Sequence, residues 1–206
     1  MRSRASLLPI VAILASMAFA PSANAAIGLA QHRSVTPANP AAKASSTLIA
    51  PATACPGQED LAAPASVQVE AMRCMTNFAR ERLGLSPLAD ATELDLSAGA
   101  KAADVLACDS FSHSACGREF TYWIRESGYL ADACWHVGEN LAWGTGDYGS
   151  VRSIFQAWMR SATHRRNLLG DYSQLGIGLR VGDLAGDLGT RIWAQHFGSR
   201  CEAAQG

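Results

Sequence analysis

The stretch SVRSIFQAWMRSATHRRNLLGDYSQLGIGLR, Ser150 to Arg180, changes period in its middle. In its first part Val151, Ile154, Phe155 and Trp158 recur at the spacing of one helix face. From Leu175 the period becomes 2, because Leu175, Ile177 and Leu179 alternate with Gly176, Gly178 and Arg180. That alternation is the mark of a strand. GDLAGDLGT (Gly182–Thr190) supplies a glycine-rich turn region and RIWAQHFGS (Arg191–Ser199) a second strand, so a hairpin is expected near the end of the chain. A third strand is expected at NLAWG, Asn140 to Gly144.

Upstream the helical period dominates. In VQVEAMRCMTNFARERLG the residues Val67, Ala71, Cys74, Met75 and Phe78 share a face, and Gly84 closes the segment. Leu94, Ala98, Lys101, Ala102 and Val105 mark a second, alanine-rich helix ending near Cys108. REFTYWIRESGY reads as a short helix stopped by Gly128. Strands run together between helical blocks instead of alternating with them, which argues an α+β fold with an antiparallel sheet.

The N-terminus bears on the compartment. Arg2 and Arg4 precede the apolar run LLPIVAILASMAFA, and SANA ends in the A-x-A pattern at Ala23 and Ala25. This reads as a signal peptide, residues 1–25, removed after Ala25. No later stretch offers the roughly 20 apolar residues of a membrane span, so a secreted protein, extracellular or cell-envelope, is expected. Residues 26–66 are rich in Ala, Pro, Ser and Thr and read as a mostly disordered linker. Residues 67–206 hold one domain, since about 140 residues make one compact core and not two. Six cysteines, all beyond residue 25, suit an oxidised exported protein: Cys55, Cys74, Cys108, Cys116, Cys134 and Cys201. Cys55–Cys74 and Cys108–Cys116 are attractive local bridges, which leaves Cys134 for Cys201. Without residues 1–25, the 17 basic and 18 acidic residues become 15 and 18. That balance carries no clustered basic face for nucleic acid.

Chemistry concentrates around Glu139, in the segment HVGENLAWGTG. A carboxylate at the mouth of an apolar strand needs a partner, because burying a lone charge is costly. His113 and His164 lie at similar distances on either side of it in the chain. Two imidazoles and a carboxylate are the ligand set of an open zinc site. In an alternative arrangement the histidines hold the metal and Glu139 accepts a hydrogen bond from an imidazole. His196, in step with Ile192 and Ala194 on a strand, is a candidate to line the cleft, as are Asn140 and Trp143. Ser112 beside His113 invites a serine-hydrolase reading, but no G-x-S-x-G elbow is present.

FSHSACGR, GENLAWGTG, AWMRSATHRRNLL and LGIGLR…IWAQHFG resemble, in order and spacing, the successive signatures of the CAP superfamily. That group comprises cysteine-rich secretory proteins, venom antigens and plant pathogenesis-related proteins, with many secreted bacterial members. The Ser161-x-x-His164-Arg-x-Asn167 segment is close to the bacterial style. The resemblance implies an α-β-α sandwich with a three-stranded antiparallel sheet. It also implies that His113, Glu139 and His164 share a cleft as metal residues. The family's second glutamate would fall at Ser161, so the four-residue pattern is reduced here to two histidines and one glutamate. The leading expectation is a secreted monomeric binding module, holding zinc and an extracellular ligand such as a lipid, peptide or cell-wall fragment. One alternative is a metal-dependent peptidase or esterase with Glu139 as general base. The other is a purely structural, disulfide-stapled exported protein.

Overall fold

The computed structural model describes residues 13–19, 45–131 and 134–200. The long helix α1 spans Ala65–Glu81, and after a two-residue strand β2 (Ala89–Asp90) comes α2, Thr92–Ala107. A short α3 (Thr121–Glu126) leads to β3, Trp135–Gly144. Two consecutive helices follow, α4 (Val151–Arg160) and α5 (Ala162–Leu168), and then the hairpin of β4 (Gln174–Leu184) and β5 (Asp187–Arg200). A further strand, β1 (Ile13–Phe19), precedes all of these.

The sheet order is β1-β3-β5-β4-β2. The three long strands β3, β5 and β4 are antiparallel, as expected. The expectation of three strands in all needs correction, because β2 adds to β4 in parallel and β1 adds to the outer edge of β3. β1 lies inside the stretch read as a leader, so in a chain cut after Ala25 the sheet ends at β3. The linker reading also needs correction over its described part. Leu48, Ala50 and Cys55 are buried in the main core, and the Cys55–Cys74 bridge ties this segment to α1. Packed structure therefore begins well before residue 67, while residues 26–44 lie outside the described set.

The period-2 pattern of β4 explains the layering. Leu175, Ile177 and Leu179 join Met72 and Met75 of α1 and Phe155 and Trp158 of α4 in one core. On the other face Gly176 and Gly178 lie against the backbone of α2, where an added Cβ would collide with Leu94 and Ala98. The alanine-rich face of α2 can approach that closely because both sides lack bulk. Ala98, Ala102 and Val105 pack there against Leu141, Ile192 and Ala194. Helices thus cover both faces of the sheet.

The ends of the helices have identifiable causes. The side chain of Ser150 accepts from the backbone N–H of Ser153 and caps α4. Gly84, at φ +74°, terminates the turn after α1 in a conformation that favours glycine. Buried Arg80 donates to the carbonyl of Leu168, the last residue of α5, and to those of Gly170 and Tyr172 just beyond it. Both local disulfides expected from spacing are present, Cys55–Cys74 and Cys108–Cys116. Cys134 is also disulfide-bonded; its expected partner, Cys201, lies outside the described residues.

Candidate functional site

Glu139 stands on β3 directly opposite His196 of β5, and Gly176 of β4 flanks His196 on the other side. All three face α2. Glu139 and His196 are fully buried. The His196 Nε2 atom lies 2.8 Å from Glu139 Oε2, and His113 Nδ1 lies 2.5 Å from Oε1. One carboxylate therefore sits between two imidazoles, with each oxygen engaged. On the far side of His196, Nδ1 meets Ser97 Oγ of α2 at 2.6 Å.

His113 comes from the loop between α2 and α3, and three attachments hold that loop. Lys101 Nζ donates to the His113 carbonyl. The Cys108–Cys116 bridge closes the loop. Arg118 pairs with Asp104 of α2 at 3.0 Å, and Trp123 Nε1 donates to the same carboxylate at 2.7 Å. The His113 side chain keeps 18 % of its surface exposed, against none for Glu139 and His196. Its Nε2 is buried and makes no hydrogen bond.

The electrostatics follow from this enclosure. Burial alone would push the Glu139 carboxyl up. Hydrogen bonds from His113 and His196, with the positive field of His196 and Lys101, outweigh burial and hold it below the ordinary value. Burial pushes Lys101 down, and the carboxylates of Glu139 and Asp104 oppose it only in part. A carboxylate that stays ionised between two rings must receive a proton from each of them. The ring protons facing Glu139 are therefore on His113 Nδ1 and His196 Nε2.

His164 is the second histidine of the expected trio. It is buried on α5, and its Nδ1 is 2.6 Å from Ser161 Oγ. Among the described residues, no three His, Cys, Asp or Glu side chains are grouped where one metal ion could be held. The structure brings His113 and His196 onto the two oxygens of Glu139, and so adds His196 to the contacts of the expected carboxylate. Asn140 faces away from Glu139, toward α5. Its amide donates to the His164 carbonyl and lies 3.4 Å from Gln195 Oε1, while Asn167 donates to the Glu139 carbonyl and to Asn140 Oδ1. Trp143 is half-buried against the α2-side core. His136 stacks on Tyr172 with ring centroids 4.5 Å apart.

Sequence reasoning missed Ser97 and Lys101 as site residues. Lys101 carried a signal, because it falls on the apolar stripe of α2. A cation there must be paired or must lose its charge. Ser97, one turn earlier, has no such mark.

A family model described as "Cysteine-rich secretory protein family" matches residues 75–197. The uncharacterized protein YkwD of Bacillus subtilis (strain 168) is 30 % identical over 151 residues, covering 72 % of this chain and 54 % of that protein. The chain therefore spans about half the length of this relative. An extracellular protein containing an SCP domain from Bacillus anthracis str. Ames superposes with a TM-score of 0.50 at 21 % identity, over 64 % of this chain and 40 % of the other. An outer surface protein from Borrelia burgdorferi does so with 0.54 at 19 % identity, over 68 % and 97 %. At these identities the two structures share a fold with this chain.

Proposed function

The chain belongs to the cysteine-rich secretory protein (CAP) family, and from that premise we propose that it is an exported binding module whose ligand contact is the Nε2 atom of His113. The single observation that carries this reading is the state of that ring. Nδ1 donates a hydrogen bond to Glu139, so the neutral ring presents a bare lone pair at Nε2, which is buried with no hydrogen bond. An imidazole whose other nitrogen is oriented by a carboxylate is the usual arrangement of a zinc-binding histidine. The donor chemistry therefore fits a divalent cation, with Glu139 orienting the ligand. A bound zinc ion would supply a positive centre for an anionic or carbonyl group of an extracellular ligand. His164 enters as a second ligand only through the family resemblance. A site with so few protein donors holds metal weakly.

Export is supported by the A-x-A leader pattern, by the disulfides and by structural neighbours described as extracellular or outer-surface proteins. No described helix is long and apolar enough to cross a membrane. A hydrolase using Glu139 as general base is less well supported, since both its oxygens already accept from imidazoles and the side chain is fully buried. A lipid, peptide or cell-wall fragment is the proposed ligand class.

Zinc titration by calorimetry tests the metal part. Binding near neutral pH is expected, weakening in acid because protons compete with the metal for the ring nitrogen, and lost in His113→Ala. A wild-type protein that takes up no zinc at micromolar concentrations refutes it.

A further inference from the structure

We infer that His196 is a positioning residue for His113: by engaging Glu139 Oε2 it leaves Oε1 to His113, and so determines which ring nitrogen His113 presents to a ligand. That a ligand meets this nitrogen rests on the reading of His113 given above. The tautomer itself does not.

Glu139 and His196 are directly opposite in adjacent strands and entirely enclosed, so neither can turn to water. The carboxylate has two oxygens and only accepts. With Oε2 held by His196 at 2.8 Å, the carboxylate plane is set and Oε1 is directed at His113 Nδ1. That ring then carries a proton on Nδ1, and in its neutral form leaves Nε2 bare.

The inner end of the chain leaves this outcome unchanged. Ser97 Oγ lies 2.6 Å from His196 Nδ1 and 2.9 Å from the Leu94 carbonyl, but a hydroxyl has one proton to give. If it goes to Nδ1, His196 is neutral with its proton on Nε2. If it goes to Leu94, Nδ1 donates to Ser97 and His196 carries both protons. In either case Nε2–H faces Glu139, so the assignment of His113 holds for both protonation states of His196. Lys101 fixes the same histidine by its backbone carbonyl, so the ring and the main chain of His113 are held by separate residues.

The experiment reads the His113 ring nitrogens by 15N NMR near pH 7.5, without metal, in wild type, His196→Phe and His196→Gln. In wild type His113 is expected to be protonated on Nδ1 and bare on Nε2. His196→Phe should remove the bias and return a mixture rich in the Nε2–H form. His196→Gln keeps a donor for Oε2 and should retain the wild-type pattern, which separates positioning from simple core filling. Zinc ion alone should then bind about 10- to 100-fold more weakly to His196→Phe, and near wild-type strength to His196→Gln. An Nε2–H form of His113 in wild type overturns the inference. So does a His196→Phe protein with unchanged tautomer. Absence of zinc binding to wild type, with the tautomers as stated, contradicts the metal reading alone and leaves His196 as the positioning residue.

Discussion

Glu139 accepts from two rings, and its removal should therefore cost more than one hydrogen bond. Glu139→Ala leaves the inner ring donor of His196 buried and unpartnered and frees the ring of His113. An orphaned buried donor costs about 1–3 kcal/mol, so with the cavity added a loss of roughly 2–5 kcal/mol is expected by denaturant titration. A loss under about 1 kcal/mol would mean that the rings find other partners. At this scale the sequence was partly legible. His113 and Glu139 are each marked by their surroundings, FSH and GEN, whereas His196 was only a residue in step with Ile192 and Ala194. Its pairing with Glu139 depends on the register of β3 against β5, and register across strands 57 residues apart has no local signature.

Among the elements, β4 shows most directly how residue type becomes architecture. Gly176 and Gly178 are the flat side of a strand on which α2 rests, and that contact brings Ser97 and Lys101 over Glu139 and His196. Gly178→Val would drive a branched side chain into the backbone at Ala98. Overpacking of a dense core costs about 1–3 kcal/mol, and here the obstacle is main chain, so the upper part of that range is expected, with zinc affinity falling as α2 is displaced. Wild-type stability and affinity in this variant would show that α2 rests elsewhere. The alternation of glycine with Leu175, Ile177 and Leu179, and the helical stripe of α4, were readable because each repeats within a few residues. The closing of the α5 end by Arg80 was not, since a long polar side chain in an exposed-looking pattern gives no sign that distant carbonyls need it.

For the whole molecule half-buried His136 and buried Glu139 predict sensitivity to acid. Burial holds His136 below its ordinary value despite the raising influence of Asp171. Below about pH 6.5, the unfolded chain therefore binds a proton that folded His136 refuses, and stability declines as the pH falls. Glu139 is held below the ordinary glutamate value of 4.5, so it stays ionised when unfolded glutamate is already protonated. Its contribution is complete above that value and is lost as the pH falls through its lower folded value. Melting temperature should thus fall in two stages, one beginning near pH 6.5 and a second below about 4.5. A flat profile from pH 7 to 4 would contradict this.

The central claim is that His113 Nε2, oriented through Glu139, is the atom that meets a ligand. Anomalous diffraction at the zinc edge, from crystals of the purified protein exposed to zinc, tests it most directly. The account predicts an ion about 2.0–2.1 Å from His113 Nε2, with Glu139 still bridging His113 and His196. An ion coordinated by the Glu139 oxygens instead, or no ion at His113 at all, would contradict it.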